Sequence, residues 1–190
     1  MSKPWRGERC SRDFKLLATC EVGKEEKAEV ELLDALLRRD RAAEVVRTGF
    51  PGILLVRTYL IPQEALELVR SMEMAYVKSI VALELVVPAE LDAVKEACLR
   101  LAREGRLGPG VRFAVRCRRR GRALPSSHQL EIIVGKAIRE ATGAKVDLEE
   151  PDVVFRIEVV GDLVGVGLER HHYFRSPLPP RPPKRAGGRV

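Results

Sequence analysis

The stretch VRFAVRCRRRGRALPSSHQL, residues 111–130, concentrates side chains that bind anions. Residues 105–130 contain seven arginines and no Asp or Glu. Arginine grips a phosphate through two parallel N–H donors and stacks on planar rings. The stretch therefore predicts a surface that binds a polyanion, and a solvated charged face is the alternative.

Alternation along the first part of this stretch indicates a strand with one charged face. Successive side chains of a strand point to opposite sides, and residues two apart are separated by about 7 Å. Phosphates along a nucleic-acid backbone recur at a similar spacing, so the charged face suits a backbone. The apolar positions are Val111, Phe113, Val115 and Cys117, and the outward positions are Arg112, Ala114, Arg116 and Arg118.

A helix is predicted to begin just after the arginines. Ser126 and Gln129 have the spacing of a capping box, and the free N–H groups of a helix start attract anions. A cap role for the serines and an exposed, inactive position for His128 are the alternatives. The predicted binding residues are Arg112, Arg116, Arg118, Arg119, Arg120, Arg122, Ser126, Ser127, His128 and Arg175. No catalytic residue, metal ligand or cofactor is predicted.

Composition places these residues in a globular chain with local basicity. The chain has 190 residues, 45% of them hydrophobic, and a formal net charge of +7. No apolar run approaches the ~20 residues of a membrane span and no secretory signal is evident, so we expect a cytoplasmic protein without a membrane partner. The absence of Asn and the low Gln content favour a thermophilic source. Four cysteines without Cys-x-x-Cys spacing give no metal or redox motif, and whether any are bonded stays open.

Two α+β units must position the arginine stretch. Residues 13–87 predict the element order βαββαβ of a ferredoxin-like domain, with strands at 14–20, 43–48, 53–60 and 76–87 and helices at 25–39 and 62–72. Residues 88–170 predict the order αβαββ, closing with a hairpin at Gly161-Asp162. Residues 171–190 are proline-rich and basic, and we expect them to be disordered.

The second unit resembles a known family. The run FAVRCRRRGRALPSSHQLEIIVGKAIREATGAKVDLEEPDVVFRIEVVGDLVGVGL looks like a THUMP domain, the RNA-binding module of several tRNA-modifying proteins. The upstream segments FKLLATCEVGKEEKAEVELLDALL and RTGFPGILLVRT resemble the ferredoxin-like part of archaeal relatives of the tRNA cytidine-acetylation adaptor. This resemblance implies tRNA as the ligand and a separate enzyme, an RNA cytidine acetyltransferase, as the partner.

The sequence therefore predicts an RNA-binding adaptor, not an enzyme, that grips tRNA and presents it for modification. A competing hypothesis is an acetyl-coenzyme A-dependent acetyltransferase, because residues 118–123 match the pyrophosphate-loop pattern R-x-x-G-x-A. An RNA-binding subunit of a different tRNA-modifying complex and a protein-binding module that uses PLPPRPP also stay open. The glycines of GVGLER lack the third glycine of a dinucleotide fingerprint, and we expect them to allow close packing of a helix or approach of a nucleotide.

Overall fold

The structure is a computed structural model that describes residues 14–170. Its first unit has the predicted order of strands and helices, and every pair of neighbouring strands in its four-stranded sheet is antiparallel. The elements are β1 (Phe14–Cys20), α1 (Glu25–Leu36), β2 (Glu44–Arg47), β3 (Ile53–Arg57), α2 (Pro62–Arg70) and β4 (Val77–Ala82), and the strands lie in the order β2-β3-β1-β4. Both helices cover one face of the sheet, where Leu16 and Ala18 of β1 are fully buried.

The second unit is a five-stranded mixed sheet packed on two helices. Its elements are β5 (Leu85–Pro88), α3 (Leu91–Glu104), β6 (Arg112–Arg120), α4 (Ser127–Thr142), β7 (Lys145–Val146), β8 (Val153–Val160) and β9 (Leu163–Arg170), with strand order β5-β9-β8-β6-β7. Strand β6 runs parallel to both β7 and β8, whereas β9 is antiparallel to β8 and β5. The hairpin at Gly161-Asp162 is formed as predicted. No helix within residues 14–170 is long and apolar enough to cross a membrane.

The chain leaves the first sheet and enters the second inside a segment that the sequence predicts as one strand. The N–H of Leu83 donates to Lys15 of β1, and the N–H of Glu84 donates to Val166 of β9. Residues 85–87 therefore belong to the second sheet, and the expectation that 76–87 closes the first unit is wrong. The predicted order αβαββ also lacks β5 and the two-residue strand β7. Glu84 is the single charged residue at the switch and apolar residues stand on both sides of it, so the sequence pattern does not show that the chain changes sheets there.

Two glycines of β9 make room for this crossing. A Cβ on Gly165 would lie 2.6 Å from Leu83, and a Cβ on Gly167 would overlap the carbonyl oxygen of Ala82. The close approach expected at these glycines is thus made by the connecting chain, and neither a helix nor a nucleotide occupies the space. Side chains from both units join in one buried cluster at this contact; its buried members are Phe14, Leu17, Ile53, Leu55, Val81, Leu83 and Val160.

We predict that Gly167→Ala strongly destabilises the protein. The added methyl group meets a backbone oxygen, which cannot rotate away, so the sheet and the connecting chain must separate at a cost of about 3 kcal/mol. The measurement is the free energy of unfolding in urea. Gly108→Ala is the matched control, because a Cβ there meets no atom within 4 Å. Equal stabilities of the two variants would contradict this account of the crossing.

Candidate nucleic-acid interface

Strand β6 has the two faces that the sequence predicts. Phe113, Val115 and Cys117 are buried against α3, α4 and the neighbouring strands. On the opposite face Ala114 is fully buried, whereas Arg116 and Arg118 are exposed. The strand is therefore an anchored support that holds a row of guanidinium groups at fixed spacing.

Arg112, at the start of the row, is enclosed by carboxylates. Its Nη2 lies 3.0 Å from Asp152, and its Nη1 lies 3.2 Å from Glu150 and 3.4 Å from Asp147. The hydrogen bonds to Asp152 and then to Glu150 raise the pKa of the Arg112 guanidinium above its ordinary value. This guanidinium already has anionic partners and holds residues 147–152 against β6, and the expectation that Arg112 binds a polyanion stays a prediction.

Arg119 and Arg120, at the other end of the strand, also have internal partners. Arg120 Nη1 lies 2.6 Å from the carboxylate of Glu158, and the Glu158 side chain is only 3% exposed. Arg119 Nη1 donates to the carbonyl oxygen of Leu124 at 2.7 Å, which fixes the turn before α4. Both residues therefore stabilise the end of β6 and the turn that follows it. The Arg119 side chain is nevertheless exposed and has no carboxylate partner among residues 14–170.

Besides Arg119, three guanidinium groups in or beside the row have no carboxylate partner in the described part of the chain. Arg116 donates to the carbonyl oxygen of Leu148, at 2.6 Å. Arg118 and Arg122 are exposed and have no hydrogen bond or ion pair to any residue in the range 14–170. The positive charge that is free to bind an outside anion is therefore concentrated at Arg116, Arg118 and Arg122, whereas Arg119 points to the opposite face of β6.

The start of α4 is built as the sequence predicts. Ser126 accepts from the N–H of Gln129, and the side chain of Gln129 accepts from the N–H of Ser126, which completes the capping box. Ser127 hydrogen-bonds the thiol of Cys117, so its hydroxyl supports β6. His128 is exposed in the first helical turn. Both serine side chains thus have structural partners, which leaves the helix-start N–H groups as the feature that an anion can use.

One of these free arginines, Arg118, borders a cleft between the two units. This cleft, of about 410 Å³, lies between α2 and β4 on one side and β6, β8 and β9 on the other. It brings Arg70, Lys78 and Arg156 beside Arg118, and sequence reasoning did not identify these three. Arg156 pairs with Glu169 at 2.8 Å and Lys78 with Glu21 at 3.3 Å, while Arg70 has no partner among the described residues. No local signal marks these positions, because only the pairing of distant strands brings them together.

The cysteines of the described region are poor nucleophiles. Burial raises the pKa of Cys98 to about 12 and that of Cys117 to about 11, and burial also raises the pKa of Cys20. All three are free. Within residues 14–170 no group of three or more His, Cys, Asp and Glu side chains has the arrangement of a metal site. Cys10, Arg175 and the rest of the tail 171–190 lie outside the described residues.

We predict that Glu158 is needed for stability. Glu158→Ala leaves the guanidinium of Arg120, itself only 18% exposed, without its anion, at a cost of about 2–4 kcal/mol. Glu150→Ala is the control, because Glu150 is 81% exposed and is one of several acids around Arg112. Urea unfolding should give a clearly lower midpoint for the first variant and a nearly unchanged midpoint for the second. Equal midpoints would show that the Arg120–Glu158 pair does not hold the end of β6.

Comparison of the sequence with known families identifies one match. The sequence model of the THUMP domain matches residues 88–169. The tRNA sulfurtransferase of Vibrio atlanticus is 40% identical over 72 residues, which are 37% of this chain and 15% of that protein. The tRNA sulfurtransferase of Aliivibrio salmonicida is 36% identical over 84 residues, 44% of this chain and 17% of that protein. The chain therefore spans only a small part of the length of these relatives.

Solved structures share the arrangement of both units. Protein PH1313 from Pyrococcus horikoshii superimposes with a TM-score of 0.68 at 20% identity, covering 83% of this chain and 54% of that one. A 4-thiouridine synthetase solved with RNA and ATP has a TM-score of 0.58 at 17% identity, covering 83% of this chain and 41% of that one. TrmN from Thermus thermophilus has a TM-score of 0.56 at 28% identity over 82% of this chain and 46% of its own. At the two lower identities the likeness concerns the fold alone.

Proposed function

Because residues 88–169 form a THUMP domain, we propose that this chain binds tRNA and holds it for a modifying enzyme. The observation that carries the proposal is the group of exposed arginines on β6 and its following turn, which have no carboxylate partner among residues 14–170. A fixed row of unpaired guanidinium groups attracts a polyanion, whereas the paired arginines around it hold the row in place.

Recognition in this proposal depends on phosphates and shape. The major groove of an A-form helix is too deep and narrow for side chains to read, and its shallow minor groove is recognised mainly by shape and 2′-hydroxyl groups, so the arginines contact the phosphate backbone. Arg116 and Arg118 lie two residues apart on one face of β6, and Arg122 extends the contact into the turn. Arg119, His128 and the N–H groups at the start of α4 belong to the opposite, helix-covered side of β6, and in this proposal they are additional contacts. Arg112, Arg120, Ser126 and Ser127 support this surface from within.

We propose that the chain acts as a binding module and that another protein or domain supplies the chemistry. The buried thiols with raised pKa values support this for Cys98 and Cys117, because the neutral thiol is a weak nucleophile. The acetyl-coenzyme A hypothesis loses support, because residues 118–120 of its R-x-x-G-x-A pattern lie within β6 and Arg120 is bonded to Glu158. A pyrophosphate needs these groups free in a loop. A cytoplasmic location would agree with a tRNA ligand.

The class of the enzyme partner is part of this proposal. The sequence resemblance favours an RNA cytidine acetyltransferase, whereas the curated relatives described above are tRNA sulfurtransferases. The first unit is compatible with either partner. We classify residues 14–82 as ferredoxin-like, because the βαββαβ order and the antiparallel strand order β2-β3-β1-β4 have that arrangement.

We predict that the variant Arg116→Ala/Arg118→Ala/Arg122→Ala binds unfractionated tRNA at least about tenfold more weakly than the wild type. Loss of phosphate contacts also makes the plot of log affinity against log salt shallower, by about two to three units. The measurement is a filter-binding or anisotropy titration over a salt series. Arg120 is left in place, because its removal would leave the buried carboxylate of Glu158 without a partner.

The matched control is Lys95→Ala/Arg100→Ala/Arg103→Ala on α3. It removes the same net charge, but each of these cations pairs with an acid on its own helix. The control should keep wild-type affinity and salt slope. An equal loss of tRNA affinity in both variants would show that only the net charge of the protein matters. Failure of the wild type to bind tRNA would overturn the proposed function.

We predict that deleting the chain from its source organism removes one modified nucleoside from tRNA. An adaptor for cytidine acetylation predicts loss of 4-acetylcytidine, and a role like that of the sulfurtransferase relatives predicts loss of thiolated uridine. Mass spectrometry of digested total tRNA distinguishes the two. A complementing copy with the three α3 substitutions should restore the nucleoside, and a copy with the three β6 substitutions should not. An unchanged nucleoside profile would contradict a role in either modification.

A further inference from the structure

A second group of unpaired arginines lies on the first unit, in the turn that follows α1. The sequence there is Arg38-Arg39-Asp40-Arg41, which contains one acid among three bases. All three arginine side chains are exposed, and none has a hydrogen bond or ion pair to a described residue through its guanidinium group. The turn therefore presents three free positive charges within four consecutive residues.

The acid of this turn does not offset these charges at the surface, because it points into the fold. Asp40 is fully buried, and its carboxylate accepts from the Thr58 hydroxyl at 2.5 Å, from the N–H of Tyr59 at 2.9 Å and from the N–H of Ala42 at 2.8 Å. Burial alone would raise the pKa of Asp40, but these hydrogen bonds outweigh it and hold that pKa below its ordinary value. The carboxylate thus ties the turn to the end of β3.

Beside the arginines lies an aromatic ring that is both exposed and held in place. Tyr59 is 70% exposed, and its hydroxyl donates to the carbonyl oxygen of Arg39. The backbone of Tyr59 is fixed by Asp40, and the neighbouring Ile61 is 59% exposed. An aromatic ring fixed at both ends, open to solvent and flanked by guanidinium groups has the features of a stacking platform for a nucleobase.

A different explanation for the arginines is the end of α1, whose carbonyl groups favour nearby cations. That role accounts for basic residues in this turn, but it does not account for an anchored tyrosine exposed among them. The nearby acids are few: Asp34 is exposed one helical turn before Arg38, Glu44 pairs with Arg57 at 3.2 Å, and Glu64 lies in the first turn of α2. The surface keeps a positive balance.

We propose that Arg38, Arg39, Arg41 and Tyr59 form an RNA-binding site on the first unit for an unpaired nucleotide. The arginines contact the flanking phosphates and Tyr59 stacks on the base. The inference rests on the proposed binding of tRNA, and it adds a contact outside the THUMP domain. An acidic protein surface would also bind the arginines, but that partner does not explain why the Tyr59 ring is exposed beside them.

The first test measures binding of unfractionated tRNA to Arg38→Ala/Arg39→Ala/Arg41→Ala over the same salt series. We expect affinity to fall about tenfold and the salt slope to become shallower by about one to two units. The control is again the α3 variant, which removes the same number of charges from ion-paired positions. Wild-type affinity in the turn variant, with lowered affinity in the β6 variant, would overturn this inference and leave the proposed function intact. Failure of wild type itself to bind would overturn both.

The second test separates stacking from charge and uses a 12-nucleotide oligouridylate as well as tRNA. Tyr59→Leu removes the ring and should lower affinity for the oligonucleotide about fivefold or more. Tyr59→Phe loses the hydrogen bond to the Arg39 carbonyl group but keeps the ring. Because the ring does the stacking, its affinity for RNA should stay within about twofold of wild type. Melting temperatures confirm that both variants are folded. Equal affinities of Tyr59→Leu and wild type for both RNAs would overturn the stacking site.

Discussion

The parallel pairing of β6 with β8 is the constraint on which the candidate interface depends. It places Arg116 beside Arg156 and Arg118 beside Glu158, and it carries the buried Glu158 to within 2.6 Å of Arg120. At the other end, the same pairing brings Asp152 to Arg112. The neighbouring strand therefore decides which guanidinium groups are neutralised inside the protein and which remain available to an outside anion.

A second consequence of the sheet arrangement is the joining of the two units. The chain passes from β4 to β5 directly over Gly165 and Gly167, and apolar side chains from both sheets close the contact. Because this contact is buried, the cleft beside it has a defined shape, with basic residues of both units along its walls. The arginine surface of the second unit thus continues onto the first. A long, flexible polyanion such as RNA can follow a surface of this kind.

Binding and chemistry are separated in this proposal for a physical reason. The arginines that carry charge to the surface are held in position by the buried strand beneath them, which suits recognition of a repeated phosphate spacing. The thiols of the same region are buried beside Ser127 and apolar side chains, where the neutral form is favoured. The matching segments make up only 15% and 17% of the two tRNA sulfurtransferases described above.

The sequence by itself determined the features that depend on local periodicity. Alternation in residues 111–118 predicted the two faces of β6, the Ser126–Gln129 spacing predicted the cap of α4, and Gly161-Asp162 predicted the final hairpin. Each depends on residues close together in the chain. The THUMP domain was predicted from the resemblance of residues 113–168 to that family, and the family match confirms it over residues 88–169.

Tertiary structure alone decided which charges are free. The segment of seven arginines contains no acid in its own sequence, but the fold brings acids from other segments to two of these arginines. Those acids are Asp147, Glu150, Asp152 and Glu158. At residues 38–41 the opposite holds: the acid of that segment, Asp40, is buried in the interior and does not offset the arginines at the surface. The switch of sheets between residues 83 and 84 is likewise set by distant strands, because one charged residue, Glu84, in an otherwise apolar run does not by itself indicate a change of sheet. A sequence gives the order of charges, but hydrogen-bond partners and burial are set by distant segments, and these decide where charge meets solvent.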